Sequence, residues 1–239
     1  AQLGRHQQSS LTIQFELGTV GRFRLTRKTA RETPAGTTPA SAFERFISHE
    51  LESLANLAKS LRTDDFYRCV SMIAGADRVV VVGCMASSAL ALFCGSILGK
   101  IHPQVDVLTG HGVMTGAVLR RLTGRSVALL VSFPRYPRAT VEIGRLAAGK
   151  GAKVIAVTDS HVSPVVPLAD LPVYIPIGIP SFADAYAAPI AFISALATEL
   201  SEQNPEASQE ALAQYDDYVS RVDLFMKAAT RNRPRGETP

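Results

Sequence analysis

The side chains best suited to chemistry in this chain are hydroxyl groups that follow short apolar runs. Residues 77–88 read Asp-Arg-Val-Val-Val-Val-Gly-Cys-Met-Ala-Ser-Ser. The four valines predict a strand buried on both faces, Gly83 ends that strand, and Ser87 and Ser88 open an apolar helix. The N–H groups and the dipole at the start of a helix attract an anion. This stretch therefore predicts either an anion-binding site or a plain strand-to-helix turn capped by a serine.

Two later apolar runs are followed by groups that could hold the same anion. Ser132 and Arg135 follow one run, and Thr158 and Ser163 follow the next. A guanidinium can bind a phosphate or a carboxylate through two N–H groups. Arg135 could equally form an ion pair at the surface, so both interpretations stay open at this point.

Four residues could act as a general base, namely His102, His111, His161 and Glu142. His111 is the best placed, because it is predicted to open a helix beside the hydroxyl-bearing loops. A single histidine in such a loop more often forms a structural hydrogen bond, and Glu142 could equally lie on a solvated helix face. Because no spacing pairs these residues, the sequence does not favour catalysis.

No metal, cofactor or membrane is expected as a partner. Asp159 and Asp170 could suggest a divalent metal, but both favour the start of a turn. The three cysteines are an odd number without metal-ligand spacing, which indicates buried, reduced thiols in a cytoplasmic protein. Every apolar run is interrupted by glycine, proline or charge before it reaches the length of a membrane span.

The elements that must position these residues alternate between strand and helix. Strands are predicted at residues 79–82, 105–108, 126–131, 154–157 and 173–175. Helices are predicted between them at residues 89–98, from residues 110–112 towards 122, and at residues 140–148. Buried strands that alternate with helices predict an α/β fold with a parallel sheet covered on both faces. Ligands of such sheets bind beyond the carboxyl ends of the strands.

Further helices are predicted on either side of the sheet. Ser41 and Glu44 fit a capping box, which predicts a helix to about residue 61. Thr63 is expected to cap a second helix through residue 72. After the sheet, Ser181 is expected to cap an apolar helix over residues 182–200, which we also expect to contact another subunit. The last elements are expected to be a helix over residues 205–227 and a disordered basic tail over residues 230–239.

The excess positive charge of the chain lies in its first 40 residues. They hold six basic and two acidic side chains, a net of +4, which equals the formal charge of the whole chain. Such an arm suggests either contact with a polyanion such as DNA or a solvated leader. Residues 18–28 have the look of a recognition helix, but two glycines weaken it. Residues 1–40 are therefore interpreted as at most a remnant of a helix-turn-helix domain.

Residues 41–203 taken together resemble a sugar isomerase (SIS) domain, in the arrangement found in RpiR-family transcriptional regulators. The first SIS signature matches Gly83, Ser87, Ser88 and Ala91, and the third matches Gly151, Thr158, Asp159, Ser163 and Pro164. The resemblance implies a flavodoxin-like, three-layer fold with five parallel strands in the order 2-1-3-4-5. It also implies a sugar-phosphate ligand and a homodimer or homotetramer. The SIS domain with its flanking helices is expected to span residues 41–229.

The second SIS signature is altered in this chain. The family usually has Ser-x-Ser-Gly-x-Thr, and here the loop reads Ser-Phe-Pro-Arg-Tyr-Pro-Arg-Ala-Thr from Ser132 to Thr140. The loop has lost a hydroxyl and an N–H group and has gained two arginines, so anion binding would rest on different chemistry. Some regulators of the family share this variant, and the resemblance therefore favours a sensor over an isomerase.

The resulting hypothesis is the effector domain of an RpiR-type regulator, which binds a phosphorylated sugar or a similar small anion and thereby controls DNA binding. The expected ligand-binding residues are Gly83, Ser87, Ser88, Ser132, Arg135, Thr158 and Ser163. The alternative is an aldose–ketose phosphosugar isomerase with His111 or Glu142 as the base. A third interpretation is a non-catalytic SIS protein whose basic arm binds a partner other than DNA.

Overall fold

Five parallel strands form the centre of the protein in a computed structural model that describes residues 41–178 and 183–226. The strand order is β2-β1-β3-β4-β5, and all four neighbouring pairs are parallel. The strands are β1 (Arg78–Val82), β2 (Val105–Leu108), β3 (Ser126–Val131), β4 (Lys153–Thr158) and β5 (Leu171–Tyr174). The predicted sheet and its order are therefore confirmed.

Seven α-helices surround the sheet in the described part of the chain. They are α1 (Ala42–Ser60), α2 (Thr63–Ala74), α3 (Ser88–Leu98), α4 (Val113–Leu119), α5 (Arg138–Gly149), α6 (Ala187–Gln203) and α7 (Pro205–Arg221). Helices α2, α3 and α6 pack on one face of the sheet, and α4 and α5 pack on the other. The predicted three-layer arrangement is therefore observed.

The valines of β1 explain how one short strand serves two cores. Val79 and Val81 belong to the cluster that contains α2, α3 and α6, whereas Val80 and Val82 belong to the cluster that contains α4 and α5. All four side chains are fully buried. Because successive side chains of a strand point to opposite faces, an unbroken apolar run is what a doubly covered strand requires.

Helix α1 begins with the predicted capping box. The Ser41 hydroxyl accepts a hydrogen bond from the Glu44 N–H at 3.1 Å, and the Glu44 carboxylate accepts one from the Ser41 N–H at 2.6 Å. Helix α1 packs against α6, mainly through Leu57 and its neighbours on the same face. It therefore forms an outer layer over the face that α6 covers.

Several predicted helix ends are wrong. Arg62, and not Thr63, occupies the cap position of α2, and it makes no side-chain cap. Helix α4 begins at Val113, after the glycines that were expected to open it. Helix α6 begins at Ala187 rather than at residue 182, and α7 ends at Arg221 rather than near residue 227. Predictions that concern Ser181, residues 1–40 and residues 227–239 lie outside the described residues.

Helix α6 lies among helices of its own chain. It contacts α1, α2, α3 and α7, and six of its residues are buried. These are Ala188, Pro189, Phe192, Ile193, Leu196 and Ala197. Neighbours within the chain thus cover most of the apolar surface that the sequence analysis assigned in part to another subunit.

The three cysteines are buried in the cores. Cys69 on α2 and Cys94 on α3 are fully inaccessible to solvent, and Cys84 is 2% exposed. Burial raises the pKa of both Cys69 and Cys94 to about 12, and the neighbouring Cys94 thiol adds to the rise at Cys69. These thiols are therefore protonated at neutral pH. Within the described residues, no helix is both long and apolar enough to span a membrane.

Candidate functional site

The loops that follow β1, β3 and β4 meet at the carboxyl edge of the sheet. The Phe133 N–H donates to the Ser87 hydroxyl at 3.4 Å, and the Cys84 N–H donates to the Thr140 hydroxyl at 3.2 Å. The Thr158 hydroxyl donates to the Ser132 carbonyl at 2.6 Å. These bonds bring together the three segments that carry the predicted ligand-binding residues.

The loop after β1 passes very close to the helix that it enters. A side chain at Gly83 would place its Cβ 2.7 Å from the Ser87 carbonyl oxygen and 2.9 Å from the Ala91 Cβ. Only glycine fits there without a shift of the backbone. Residues Met85–Ser87 form one turn of 3-10 helix, and Met85 has a φ of 55°, which is rare for a residue with a side chain. Ser88, partly exposed, is the first residue of α3.

Two hydroxyl groups of this site are buried without a partner. In the described segments, the oxygen atoms of the Ser132 and Ser163 side chains are inaccessible and accept or donate no hydrogen bond. Both residues are at most 1% exposed. An unsatisfied buried hydroxyl costs about 1–3 kcal/mol, and native proteins keep few of them. Such groups point to a bound ligand, a water or a second arrangement of the loops.

Thr158 and Asp159 at the end of β4 contact the altered loop after β3. The Tyr136 hydroxyl donates to the Asp159 carboxylate at 3.0 Å, and the Thr158 hydroxyl lies 3.3 Å from the same oxygen. Burial raises the pKa of Asp159, although the hydrogen bonds from Tyr136 and Thr158 partly oppose this. Asp159 therefore holds the altered loop rather than beginning an isolated turn.

Arg135 lies on the exposed part of the loop between β3 and α5. Helix α5 begins three residues later, after Pro137, which makes no side-chain cap. The geometry brings the guanidinium to the same edge of the sheet as Ser132. Its position thus agrees with that of the predicted anion site.

His111 and Glu142 form a pair that the sequence analysis did not predict. The His111 Nε2 atom lies 3.0 Å from a Glu142 carboxylate oxygen, and the two side chains are 50% and 40% exposed. His111 does not open a helix, because α4 begins at Val113. The contact joins the loop after β2 to α5 at the same edge of the sheet. A carboxylate that orients a histidine is an arrangement suited to proton transfer.

The other candidate bases and metal ligands have structural roles. His102 bonds the Ala76 carbonyl at 3.2 Å and accepts from the Gln104 N–H. Asp170 accepts from the Val154 N–H at 2.8 Å and from Lys153 at 3.1 Å, and so fixes the chain before β5. No group of three or more His, Cys, Asp or Glu side chains suited to a metal occurs in the described part of the chain.

Three residues at this edge escaped the sequence analysis as site residues: Tyr136, Thr140 and Tyr186. The Tyr186 ring packs on Phe133, with ring centroids 5.9 Å apart, and its hydroxyl donates to Asp184 at 3.0 Å. Thr140 could have been found, because it occupies the threonine of the second SIS signature. Tyr186 lies 53 residues beyond Phe133 in the sequence, and no local pattern connects the two.

A family model agrees with this fold and this site. The model of the SIS domain matches residues 72–199, which is more than half of the chain. The chain therefore belongs to the SIS-domain family. No curated protein matches its sequence significantly.

Solved structures give the same fold. The sugar isomerase domain of an RpiR transcription factor from Sphaerobacter thermophilus is 28% identical, with a TM-score of 0.70 over 74% of this chain and 99% of that chain. The Vibrio vulnificus NanR protein complexed with ManNAc-6P is 18% identical, with a TM-score of 0.65 over 79% of this chain and 71% of that chain. An Escherichia coli CFT073 protein solved as a ligand complex is 20% identical, with a TM-score of 0.59 over 73% of this chain and 95% of that chain.

Proposed function

We propose that this chain is the ligand-sensing part of an RpiR-type transcriptional regulator. Its SIS domain would bind a phosphorylated sugar or a similar small anion at the carboxyl edge of the sheet. Ligand binding would favour one arrangement of the domain and thereby change the affinity for DNA. The resemblance to an RpiR transcription factor supports this proposal, because the match spans 99% of that solved domain.

The observation that carries the proposal is the pair of unpartnered hydroxyls at the ends of β3 and β4. Ser132 and Ser163 are both buried, and each lies on a loop beside a helix or a short helical turn. A small anion or sugar hydroxyl that reached them would satisfy both groups at once. Because these oxygens are inaccessible in the structure, binding must be accompanied by a small movement of the loops.

The other predicted residues divide into two roles in this proposal. Ser88 and Arg135 are accessible, and we assign them to direct contact with the phosphate, together with the N–H groups at the start of α3. Gly83, Ser87 and Thr158 are buried in contacts between the loops. We assign these three to holding the loops at the distances that the ligand requires.

We also propose two partners besides the ligand. Residues 1–40 would contact DNA, which their net charge of +4 supports. A second copy of the chain would form a homodimer or part of a homotetramer. The exposed apolar stripe of Phe43, Ile47 and Leu51 on α1 supports such association, because each of these side chains is at least 42% exposed.

Calorimetry with ManNAc-6P, arabinose 5-phosphate and inorganic phosphate tests the proposed function. We expect at least one sugar phosphate to bind more tightly than inorganic phosphate. The Ser132→Ala substitution should weaken that binding about tenfold, because a hydrogen bond to a charged group contributes roughly 1.5–3 kcal/mol. It should leave the free energy of unfolding unchanged or raise it by about 1 kcal/mol, because it removes an unsatisfied buried group.

The matched control is Ser126→Ala, at the opposite end of the same strand. Ser126 is also fully buried, but its hydroxyl donates to Asp77 at 3.1 Å and accepts from the Thr123 N–H. This control should lower stability and leave ligand affinity within about twofold. Substituting Ser88 or Arg135 by alanine should weaken binding without unfolding the chain. Unchanged affinity in the Ser132, Ser88 and Arg135 variants would overturn the site, and no binding of any sugar phosphate would overturn the proposed ligand.

The contact of His111 with Glu142 favours one alternative, an aldose–ketose phosphosugar isomerase. A base at this position would move a proton between C1 and C2 of the sugar. Incubation of sugar phosphates with the protein in heavy water would reveal deuterium at C1 or C2 if this reaction occurs. We expect no exchange. Exchange that disappears in both His111→Gln and Glu142→Gln would establish the isomerase instead.

A further inference from the structure

Helix α1 supplies the carboxylate that caps helix α6. The two oxygens of Glu50 accept hydrogen bonds from the Tyr186 N–H at 3.1 Å and from the Ala187 N–H at 2.9 Å. Both N–H groups lie at the start of α6, where the helix itself provides no acceptor for them. A negative charge at this end also interacts favourably with the helix dipole. The capping group of α6 therefore comes from an element 136 residues away in the sequence.

A second residue of α1 holds the chain that leads out of β5. The Ser53 hydroxyl accepts from the Gly178 N–H at 3.3 Å, and the Gly178 carbonyl accepts from the Ala185 N–H at 3.1 Å. Ser53 is one helical turn from Glu50 and is 4% exposed. Helix α1 thus fixes both Gly178 and the Tyr186–Ala187 pair.

Tyr186 joins this arrangement to the candidate ligand site. Its ring packs on Phe133 in the loop after β3, and its hydroxyl donates to Asp184 and accepts a hydrogen bond from Ser87. The Ser87 oxygen in turn accepts from the Phe133 N–H. One chain of hydrogen bonds therefore runs from the loop after β3, through the loop after β1, to the start of α6.

We propose that Glu50 and Tyr186 are positioning residues that couple the loops of the ligand site to helix α1. Any ligand-induced movement of Ser87 or Phe133 must displace Tyr186, whose backbone is held by the Glu50 carboxylate. Displacement would leave a partly buried carboxylate without its two donors, so α1 must follow or the bonds must break. Helix α1 begins directly after residues 1–40, which the proposed function assigns to DNA. The regulatory part of this inference rests on that proposed function.

Hydrogen exchange of the ligand-free protein tests the coupling itself. In Glu50→Gln, one of the two acceptor oxygens becomes a donor, so one N–H of α6 loses its partner. We expect amide exchange to accelerate about fivefold or more at residues 186–187 and in the ligand loops at residues 84–88 and 132–136. Exchange at residues 123–126, at the opposite end of the sheet, should stay unchanged.

Glu52→Gln is the matched control, because it makes the same change two residues away on an exposed part of α1. The Glu52 side chain is 70% exposed and lies 4.0 Å from His49. This variant should exchange like the wild type in all four segments. If Glu50→Gln alters only residues 186–187, or alters all regions equally, the coupling to the ligand loops does not exist.

Tyr186→Phe provides an independent variant that keeps the ring on Phe133 and removes only the hydroxyl. It should accelerate exchange at residues 84–88 while the protection of residues 186–187 by Glu50 persists. Tyr218→Phe, an exposed tyrosine of α7, is its control. No effect of Tyr186→Phe at residues 84–88 would remove Tyr186 from the proposed path.

The same measurement with ManNAc-6P and arabinose 5-phosphate separates this inference from the proposed function. In the wild type, a bound sugar phosphate should change exchange in residues 42–60 of α1. In Glu50→Gln, the ligand should still bind within about threefold of the wild-type affinity, but the change in α1 should disappear. Failure of both sugar phosphates to bind would contradict the proposed function, whereas a change in α1 that survives in Glu50→Gln would contradict the relay.

Discussion

Two aspartates that flank the loop after β4 show how environment sets the charge of single residues. Burial raises the pKa of Asp159 despite its hydrogen bonds from Tyr136 and Thr158. Asp170 is also desolvated, but the Val154 N–H and the Lys153 ammonium outweigh this and lower its pKa. The two carboxylates are therefore expected to affect stability in opposite directions as the pH changes.

Asp170 should stabilise the fold at neutral pH and lose this contribution in acid. Because its pKa is lower in the folded state, its contribution is complete above the unfolded-state value of about 4 and is lost as the pH falls through the folded-state pKa. Urea unfolding of Asp170→Asn should therefore show lower stability at pH 7 and a smaller deficit at pH 3. A deficit that does not depend on pH would contradict this assignment.

Asp159→Asn serves as the opposite case in the same experiment. The folded-state pKa of Asp159 is raised, so its ionisation opposes folding above that pKa and the cost disappears as the pH falls towards the unfolded-state value. Relative to the wild type, Asp159→Asn should therefore be most favourable at neutral pH and become less favourable in acid. The same pH trend in both variants would be inconsistent with the two environments.

The sequence indicates which side chains gather at the ligand edge but not which of them are engaged. The hydroxyls after β1, β3 and β4 lie where a parallel sheet should place them. Whether a hydroxyl is satisfied depends on a third element, as when Ser87 bonds Phe133 and Tyr186 while Ser132 bonds neither. The pairing of His111 with Glu142 was missed for the same reason, since 31 residues separate them.

At the scale of elements, α3 and β2 approach so closely that glycine is required between them. A Cβ at Gly95 would lie 2.1 Å from a methyl carbon of Val107. Gly95→Ala should therefore cost about 1–3 kcal/mol of unfolding free energy through overpacking. Val107→Ala removes the opposing methyl, so the double variant should lose at least about 1 kcal/mol less than the sum of the single variants.

Gly116→Ala on α4 is the control for this experiment. No atom lies within 4 Å of a Cβ at that position, so alanine should stabilise the helix by about 0.5–1 kcal/mol. Chemical denaturation of the four variants measures all of these differences. Additive losses for Gly95→Ala and Val107→Ala would show that their contact does not limit the packing.

Element positions were predictable where the cause is local and failed where it is remote. Buried runs of β-branched residues indicated the strands to within one or two residues, and the capping box of α1 was read from Ser41 and Glu44. The start of α6 was placed five residues too early because a nearby serine was expected to cap it. The group that caps α6 is Glu50, and nothing in the sequence around residue 187 reveals a carboxylate on another helix.

At the scale of the whole molecule, the two faces of the sheet are covered to different depths. One face carries α2, α3 and α6 with α1 outside them, and the other carries only α4 and α5 among the described residues. Strand–helix alternation together with the SIS signatures was sufficient to predict the layers and the strand order. The thickness of the first layer was not predicted, because the apolar surface of α6 had been assigned in part to another subunit.

The thick layer encloses two thiols that can act as a clock for the opening of the core. At pH 8 a thiol with a pKa of about 12 is ionised to the order of one part in ten thousand, so alkylation requires exposure first. We expect iodoacetamide to label Cys69 and Cys94 only as fast as their helices detach, which mass spectrometry of the two peptides can follow. Equal rates would mean that α2 and α3 leave the sheet as one unit, faster labelling of Cys69 would mean that α2 peels away first, and immediate labelling of both would contradict their burial.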